Sequence, residues 1–298
     1  MARSRHHVWY FSSSRIPVLT QAHSQRQYVA LKVCISNYPS VERERAAYAH
    51  LREALKTHSR SLESSLVRSS LADFELPGVE GSHRCFVFQP LTINLVATRA
   101  ALHFDEVMFQ AIAFHVFRAL EFLHTKAKMV HCGTSLFLQC FLCCDLSQDV
   151  RAENFSLTAL DQTTFQNLEA LELERPSPRK IYSDRIIYDG VGQVIPEDKR
   201  FLGVPVLCDF GEARFGQDCY EDTIQPFTFQ APEVVFKAPW YYPADIWNAG
   251  AMVRILAPLR DFLIQPHSYL SCGTFWRSIS YFQAHTKTGQ TIPNLWQR

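Results

Sequence analysis

Three short strings carry most of the chemistry that the sequence suggests: Val29-Ala30-Leu31-Lys32, Asp209-Phe210-Gly211 and Ala231-Pro232-Glu233. Each is common by chance when taken alone. Their order is more specific, because the lysine sits in an apolar stretch that reads as a strand, and the third string begins 22 positions after the second. A cation on a strand and a carboxylate at a strand end could serve phosphoryl transfer. That chemistry is mostly positioning and charge neutralisation, so the question becomes which elements hold these side chains.

At these residues the sequence resembles the protein kinases. Pro205-Val206-Leu207-Cys208-Asp209-Phe210-Gly211 and Asp245-Ile246-Trp247-Asn248 resemble, more narrowly, the serine/arginine-rich protein kinases in their fungal branch, and the likeness covers roughly residues 8–255. The resemblance implies that Lys32 meets the α- and β-phosphate oxygens of ATP and that Glu44 pairs with it. Glu42 lies two residues away, and helical phase favours Glu44. Asp209 would bind Mg²⁺ bridging the phosphates, with Phe210 packed beneath it and Gly211 letting the backbone turn. Glu233 would close the segment against the large lobe, and Asp245 would anchor the catalytic loop from a buried helix. Phe88, Gln89, Pro90 and Leu91 match the hinge that meets adenine. Without the resemblance, Lys32 reads as a solvated strand lysine, Asp-Phe-Gly as a strand-end turn, and the hinge residues as a core strand and turn.

The catalytic loop departs from this pattern. A kinase needs His-x-Asp with an Asn five residues after the Asp. Met129-Val130-His131-Cys132 is followed instead by residues 133–148, and only then by Asp149-Val150-Arg151-Ala152-Glu153-Asn154. Asp145 competes for the base position but is nine residues from Asn154; Asp149 is five. Removing 133–148 gives Val-His-Cys-Asp-Val-Arg-Ala-Glu-Asn-Phe, an intact loop. The resemblance therefore assigns Asp149 as the base that orients the substrate hydroxyl, Arg151 as the basic residue near the γ-phosphate, and Asn154 as a Mg²⁺ ligand. The sixteen extra residues read as a short translated intron. Cys140, Cys143 and Cys144 among them invite a zinc reading, but Cys208 and Cys219 are not the tight second pair that a tetrahedral site needs.

The elements that must position these residues follow from periodicity. Tyr28 to Cys34 reads as a strand, and 41–57 as a helix with Tyr48, Leu51 and Leu55 on one face, where Glu44 also falls. His83 to Leu91 reads as a second strand, stopped by Pro90. Residues 105–124 form the clearest helix, with the stripe Met108, Ile112, Val116, Leu120 and Leu123. Residues 156–203 read as a long polar spacer. Val204 to Cys208 reads as a short strand, and the pattern turns helical again from Pro239. The expected fold is α+β and two-lobed, with a small mostly-β lobe and a large mostly-α lobe, truncated at both ends. Residues 1–24 would be a remnant of the glycine-rich-loop region, 25–262 the kinase-like domain, and 263–298 an unassigned tail.

Composition narrows the classes. Thirty basic against twenty-nine acidic residues leave a charge of +1, which gives no support to bulk binding of nucleic acid or anionic membrane. No apolar run approaches the ~20 residues of a membrane helix, and the N-terminus lacks a secretory apolar core. Nine cysteines, an odd number in a chain this size, fit a reduced compartment, cytoplasmic and/or nuclear. The implied function is a serine/threonine protein kinase using ATP and Mg²⁺ on a protein substrate, by resemblance an Arg-Ser-rich protein of RNA processing. The alternative is an inactive kinase-like binding module or non-functional truncated product, because no glycine precedes Lys32 and the catalytic loop is split. The sequence sets no oligomeric state.

Overall fold

A computed structural model describes residues 8–12, 28–36, 38, 40–59, 61–78, 81–101, 106–133, 154–160, 162–176, 178–182, 186–188, 202–225 and 230–256. The small lobe is an antiparallel sheet with one helix against it. Its strands β1 (Val8–Ser12), β2 (Val29–Val33), β3 (Ser70–Gly78) and β4 (Gly81–Phe88) lie in the order β1-β2-β4-β3. Side chains alternate across a strand, so Ala30, Lys32 and Cys34 share one face, and all three are buried. Helix α1 (Ser40–Thr57) covers that face. Its buried residues Glu44, Ala47, Tyr48 and Leu51 fall at i, i+3, i+4 and i+7, a single helical stripe.

The large lobe begins with α2 (Leu95–Ala101), where the Asn94 side chain accepts the Ala97 N–H at 2.9 Å and caps the helix. Helix α3 (Glu106–Thr125) follows, then β5 (Met129–Val130) and β6 (Phe155–Ala159). After α4 (Thr163–Glu174) come a small hairpin of β7 (Arg179–Ile181) and β8 (Ile186–Tyr188), then β9 (Leu202–Leu207), which pairs antiparallel with β6. The short strand β10 (Arg214–Phe215) pairs with β5, and α5 (Pro232–Val235) and α6 (Tyr242–Leu256) close the described chain. One hydrophobic cluster runs through both lobes, from Ala30, Tyr48, Leu51 and Phe86 to Val116, Leu120, Leu123 and Leu207. A second, smaller one holds Val130, Cys132, Tyr220, Ile224, Ala231 and Trp240 beneath the segment after Asp209.

Three features differ from the sequence expectation. The partner strand β3 is unannounced, because Asp73, Glu75, Pro77 and Gly78 break its apolar pattern; Asp73 and Glu75 instead form ion pairs with Arg84 across the hairpin, at 3.4 and 2.7 Å. The stretch expected as spacer starts and ends in strand, since Ser156 and Leu157 pair with Val206 and Pro205. Between those strands lies a helix, α4, of which only Phe165 is buried, too weak a stripe to be read from periodicity. The helix expected from Pro239 begins at Tyr242.

Helix α3 offers a test of the core. Leu123 is fully buried and Val107, on the same helix, is 73% exposed. Leu123→Ala should destabilise the protein by about 2–5 kcal/mol through lost burial and a residual cavity, whereas Val107→Ala should change stability by less than about 0.5 kcal/mol. Urea unfolding followed by far-UV circular dichroism gives both values; equal midpoints for the two variants would refute this assignment of the core.

Candidate active site

The inward face of β2 delivers Lys32 into the cleft between sheet and helix. Its Nζ donates to Glu44 Oε1 at 2.6 Å and lies 3.3 Å from Asp209 Oδ1. Both Lys32 and Glu44 side chains are about 4% exposed, so two charges are removed from water together. Burial pushes Glu44 up from the usual carboxylate range, with the Lys32 charge opposing it. Lys32 is affected most by burial, which disfavours its charge, yet Asp209 and Glu44 outweigh that and raise it above its ordinary value. The ammonium therefore stays charged in a dry site. Glu42 is exposed and pairs with Arg45 instead, at 2.9 Å.

Asp209 stands at the end of β9 with φ +63°, in the left-handed region that an aspartate tolerates better than most side chains. The turn therefore bends at Asp209 itself. Gly211 has no positive φ, and a Cβ there would meet only ordinary contacts, so the expected role of that glycine in the turn is corrected. The Cys208 N–H donates to the Asn154 carbonyl at 2.7 Å, which ties the backbone at Asn154 to the residue before Asp209. The Asp209 side chain is 37% exposed, a carboxylate that pairs with Lys32 and still faces solvent. A hard carboxylate on a partly open surface suits Mg²⁺, which keeps several of its waters and takes few protein ligands.

Beneath Asp209, Phe210 is fully buried and meets His131 edge-on at 5.2 Å and Tyr48 at 5.7 Å. The His131 ring donates to the Cys208 carbonyl at 2.9 Å. Asp245 of α6 accepts the backbone N–H groups of His131 and Cys132 at 2.7 and 2.9 Å, and its Oδ2 also meets His124 Nε2 at 2.9 Å. Cys132 is held at φ +65° by this clamp. Phe88, expected at the adenine hinge, is fully buried against Tyr48, 5.2 Å between rings; it forms part of the wall, and its side chain presents no open surface. Gln89 is exposed and Leu91 half-buried just beyond it. Glu233 is half-buried in the first turn of α5. Asp149 and Arg151 lie outside the described residues, as do Asp145 and the cysteines at 140, 143 and 144.

Comparison with known proteins fits this arrangement. A serine/threonine protein kinase of Aspergillus fumigatus is 32% identical over 232 residues, 77% of this chain and 51% of the relative. The dual specificity protein kinase KNS1 of Saccharomyces cerevisiae is 26% identical over 226 residues, covering 73% of this chain and 27% of its own. The serine/threonine-protein kinase SKY1 of the same yeast is 36% identical over 66 residues, 21% of this chain and 9% of that protein. This chain is a protein-kinase homologue. Its fold is the two-lobed α+β kinase fold. No protein-family model matches it. The chain spans about half the length of the Aspergillus relatives.

In this kinase fold the sequence reading missed two contacts. Arg43 of α1 bonds Glu212 at 2.6 Å, fastening the helix to the residue after Gly211; both lie next to motif residues but belong to surface types that pair anywhere. Arg68 reaches the hinge, joining positions 21 residues apart that no motif links.

The site also sets the order in which thiols react. Burial pushes the Cys34 thiol up to about 12 and raises Cys85, Cys132 and Cys208 as well, whereas Cys219 is exposed. Iodoacetamide at pH 8 should label Cys219 at least tenfold faster than these four in the folded protein, a ratio that collapses in urea, as peptide mass mapping would record. Because unfolding lets the buried Cys34 thiol ionise near pH 9, its contribution to stability is present below that pH and declines as pH rises from there towards 12; the raised Cys85, Cys132 and Cys208 thiols act in the same direction.

Proposed function

We propose that the chain is a serine/threonine protein kinase that transfers the γ-phosphoryl group of ATP to a protein hydroxyl. The observation that carries this reading is the buried Lys32–Glu44 pair standing 3.3 Å from an open Asp209. Lys32 offers a fixed positive charge to the α- and β-phosphate oxygens, and Glu44 keeps its side chain extended into the cleft. Asp209 and Asn154 would hold Mg²⁺, which when bound neutralises charge on the phosphate oxygens. Asp149 takes the proton of the substrate hydroxyl as that oxygen bonds the γ-phosphorus and the bond to the β-phosphate oxygen breaks. Arg151 balances charge near the transferred group. Gln89 and Leu91 offer backbone groups to the base.

The likeness to SKY1 over 66 residues, together with the Pro205–Gly211 and Asp245–Asn248 phrases, supports Arg-Ser-rich proteins as the substrate class. Such substrates fit action in the cytoplasm or nucleus. A second reading, a nucleotide-binding module without transfer activity, rests on one specific feature: residues 133–148 separate His131-Cys132 from Asp149.

The two readings diverge in a phosphorylation assay on an Arg-Ser repeat peptide with γ-labelled ATP. For an active kinase, Asp209→Asn and Asp149→Ala should each lower kcat by at least a hundredfold while the protein remains folded. Transfer that survives Asp149→Ala would refute the base assignment. A wild-type chain that binds MgATP but transfers nothing, while a 133–148 deletion is active, would favour the binding module.

A further inference from the structure

Arg68 is a residue that no motif announces, and it touches both ends of the nucleotide cleft. It lies between the short 3-10 turn Leu62–Leu66 and β3. Its backbone N–H donates to the Leu207 carbonyl at 2.8 Å, next to a parallel bridge between Val67 and Leu207. Leu207 ends β9, two residues before Asp209, so the Arg68 backbone is tied to the strand that presents the metal-binding carboxylate. Its side chain lies against Cys208 and reaches on to the hinge. Nη2 donates to the Gln89 backbone carbonyl at 2.9 Å, and the guanidinium carbon sits 4.5 Å from the centre of the Phe88 ring.

The ring beneath the guanidinium is itself immobilised. Phe88 is fully buried, with Tyr48 at 5.2 Å and Phe86 at 6.2 Å. A planar guanidinium can lie over an aromatic face and donate in its own plane at once, which an ammonium cannot. The bond to Gln89 is charge-assisted and so stronger than a neutral one. A carbonyl oxygen has two lone pairs, so this bond leaves Gln89 a second acceptor direction.

We infer that Arg68 is a positioning residue for the nucleotide base: it fixes the Gln89–Leu91 segment at a set distance from Asp209, so that base and phosphates are gripped in register. This rests on the kinase reading above. The side chain acts through the hinge backbone, so removing it should weaken ligands that carry a base and spare ligands that carry only phosphates.

Calorimetric titration of the full chain with MgATP and with magnesium tripolyphosphate separates these effects. Arg68→Met, which keeps length and apolar bulk, should weaken MgATP about tenfold and leave tripolyphosphate within twofold. Arg68→Lys, which keeps the charge and loses the planar fork, should recover only part of the lost affinity, and it supplies the same comparison if Arg68→Met does not fold. An equal loss for both ligands would make Arg68 a general structural residue and overturn the inference, as would unchanged MgATP affinity. A wild-type chain that binds tripolyphosphate and not MgATP would overturn the kinase reading along with it, whereas tight MgATP binding by both wild type and Arg68→Met would overturn this inference alone.

Discussion

The Lys32–Glu44 pair is the interaction on which the small lobe depends. Each ion costs several kcal/mol to take out of water, and the mutual attraction offsets this only when the geometry is close and further partners are present. Here the separation is 2.6 Å, and Asp209 supplies a third charge from the other lobe. Removing one partner from such a pair would leave an uncompensated buried charge, a penalty of about 3–5 kcal/mol. The pair therefore fixes where α1 sits on the sheet. Any movement of the helix away from β2 would strand the ammonium among Ala30, Phe86 and Tyr48. The dryness makes the arrangement costly and by itself disfavours the ammonium; Asp209 and Glu44 outweigh that, and the charge they maintain is undiluted by solvent, which is what an anionic ligand requires.

That constraint is carried into the large lobe by packing. Tyr48 follows Glu44 by one helical turn and meets Phe210, which meets His131, whose backbone is held by Asp245. The result is a continuous stack from α1 through the Asp209 turn to α6. Each aromatic contact contributes roughly 0.5–1.5 kcal/mol beyond its buried area, so the stack is comparable in magnitude with the ion pair above it. The Arg43–Glu212 bond adds little energy at the surface but ties α1 to the same turn. Position of the helix, conformation of Asp209 and placement of His131 thus form one coupled unit.

Local pattern made some of this legible and left the rest hidden. The helical stripe of 41–57 indicated Glu44 over Glu42, because an inward carboxylate among Ala47, Tyr48 and Leu51 demands a partner. The stripe of α3 was equally clear. By contrast, β3 carries its charges on the face toward α1, where Asp73 and Glu75 meet Arg84 and Arg52 meets Asp73, so its alternation does not look apolar. Helix α4 buries a single side chain and leaves no periodic signal. Arg68 and Arg43 find partners far away in sequence, and nothing in the spacing of an arginine says which carbonyl or carboxylate it will reach. The left-handed conformation at Asp209 was hidden for another reason: a glycine two residues later offered the more familiar explanation of the turn.

The interruption before Asp149 separates what the fold needs from what the chemistry needs. On one side, His131 and Cys132 are pinned to Asp245; on the other, the Asn154 carbonyl is pinned to the Cys208 amide. Both anchors are made by residues outside 133–148. The connection between Cys132 and Asn154 has 21 residues, where removal of sixteen would leave five. In the flexible-chain limit, closing the longer connection costs only about 1.3 kcal/mol more, since loop entropy grows with the logarithm of length. A penalty of that size does not displace anchors made of buried hydrogen bonds. Transfer is far less tolerant, because a base displaced by ~1 Å can cost on the order of a hundredfold in rate. The Cys208–Asn154 backbone bond does not involve that connection, so the metal-holding role proposed for Asp209 and Asn154 is less exposed to the interruption than the role proposed for Asp149.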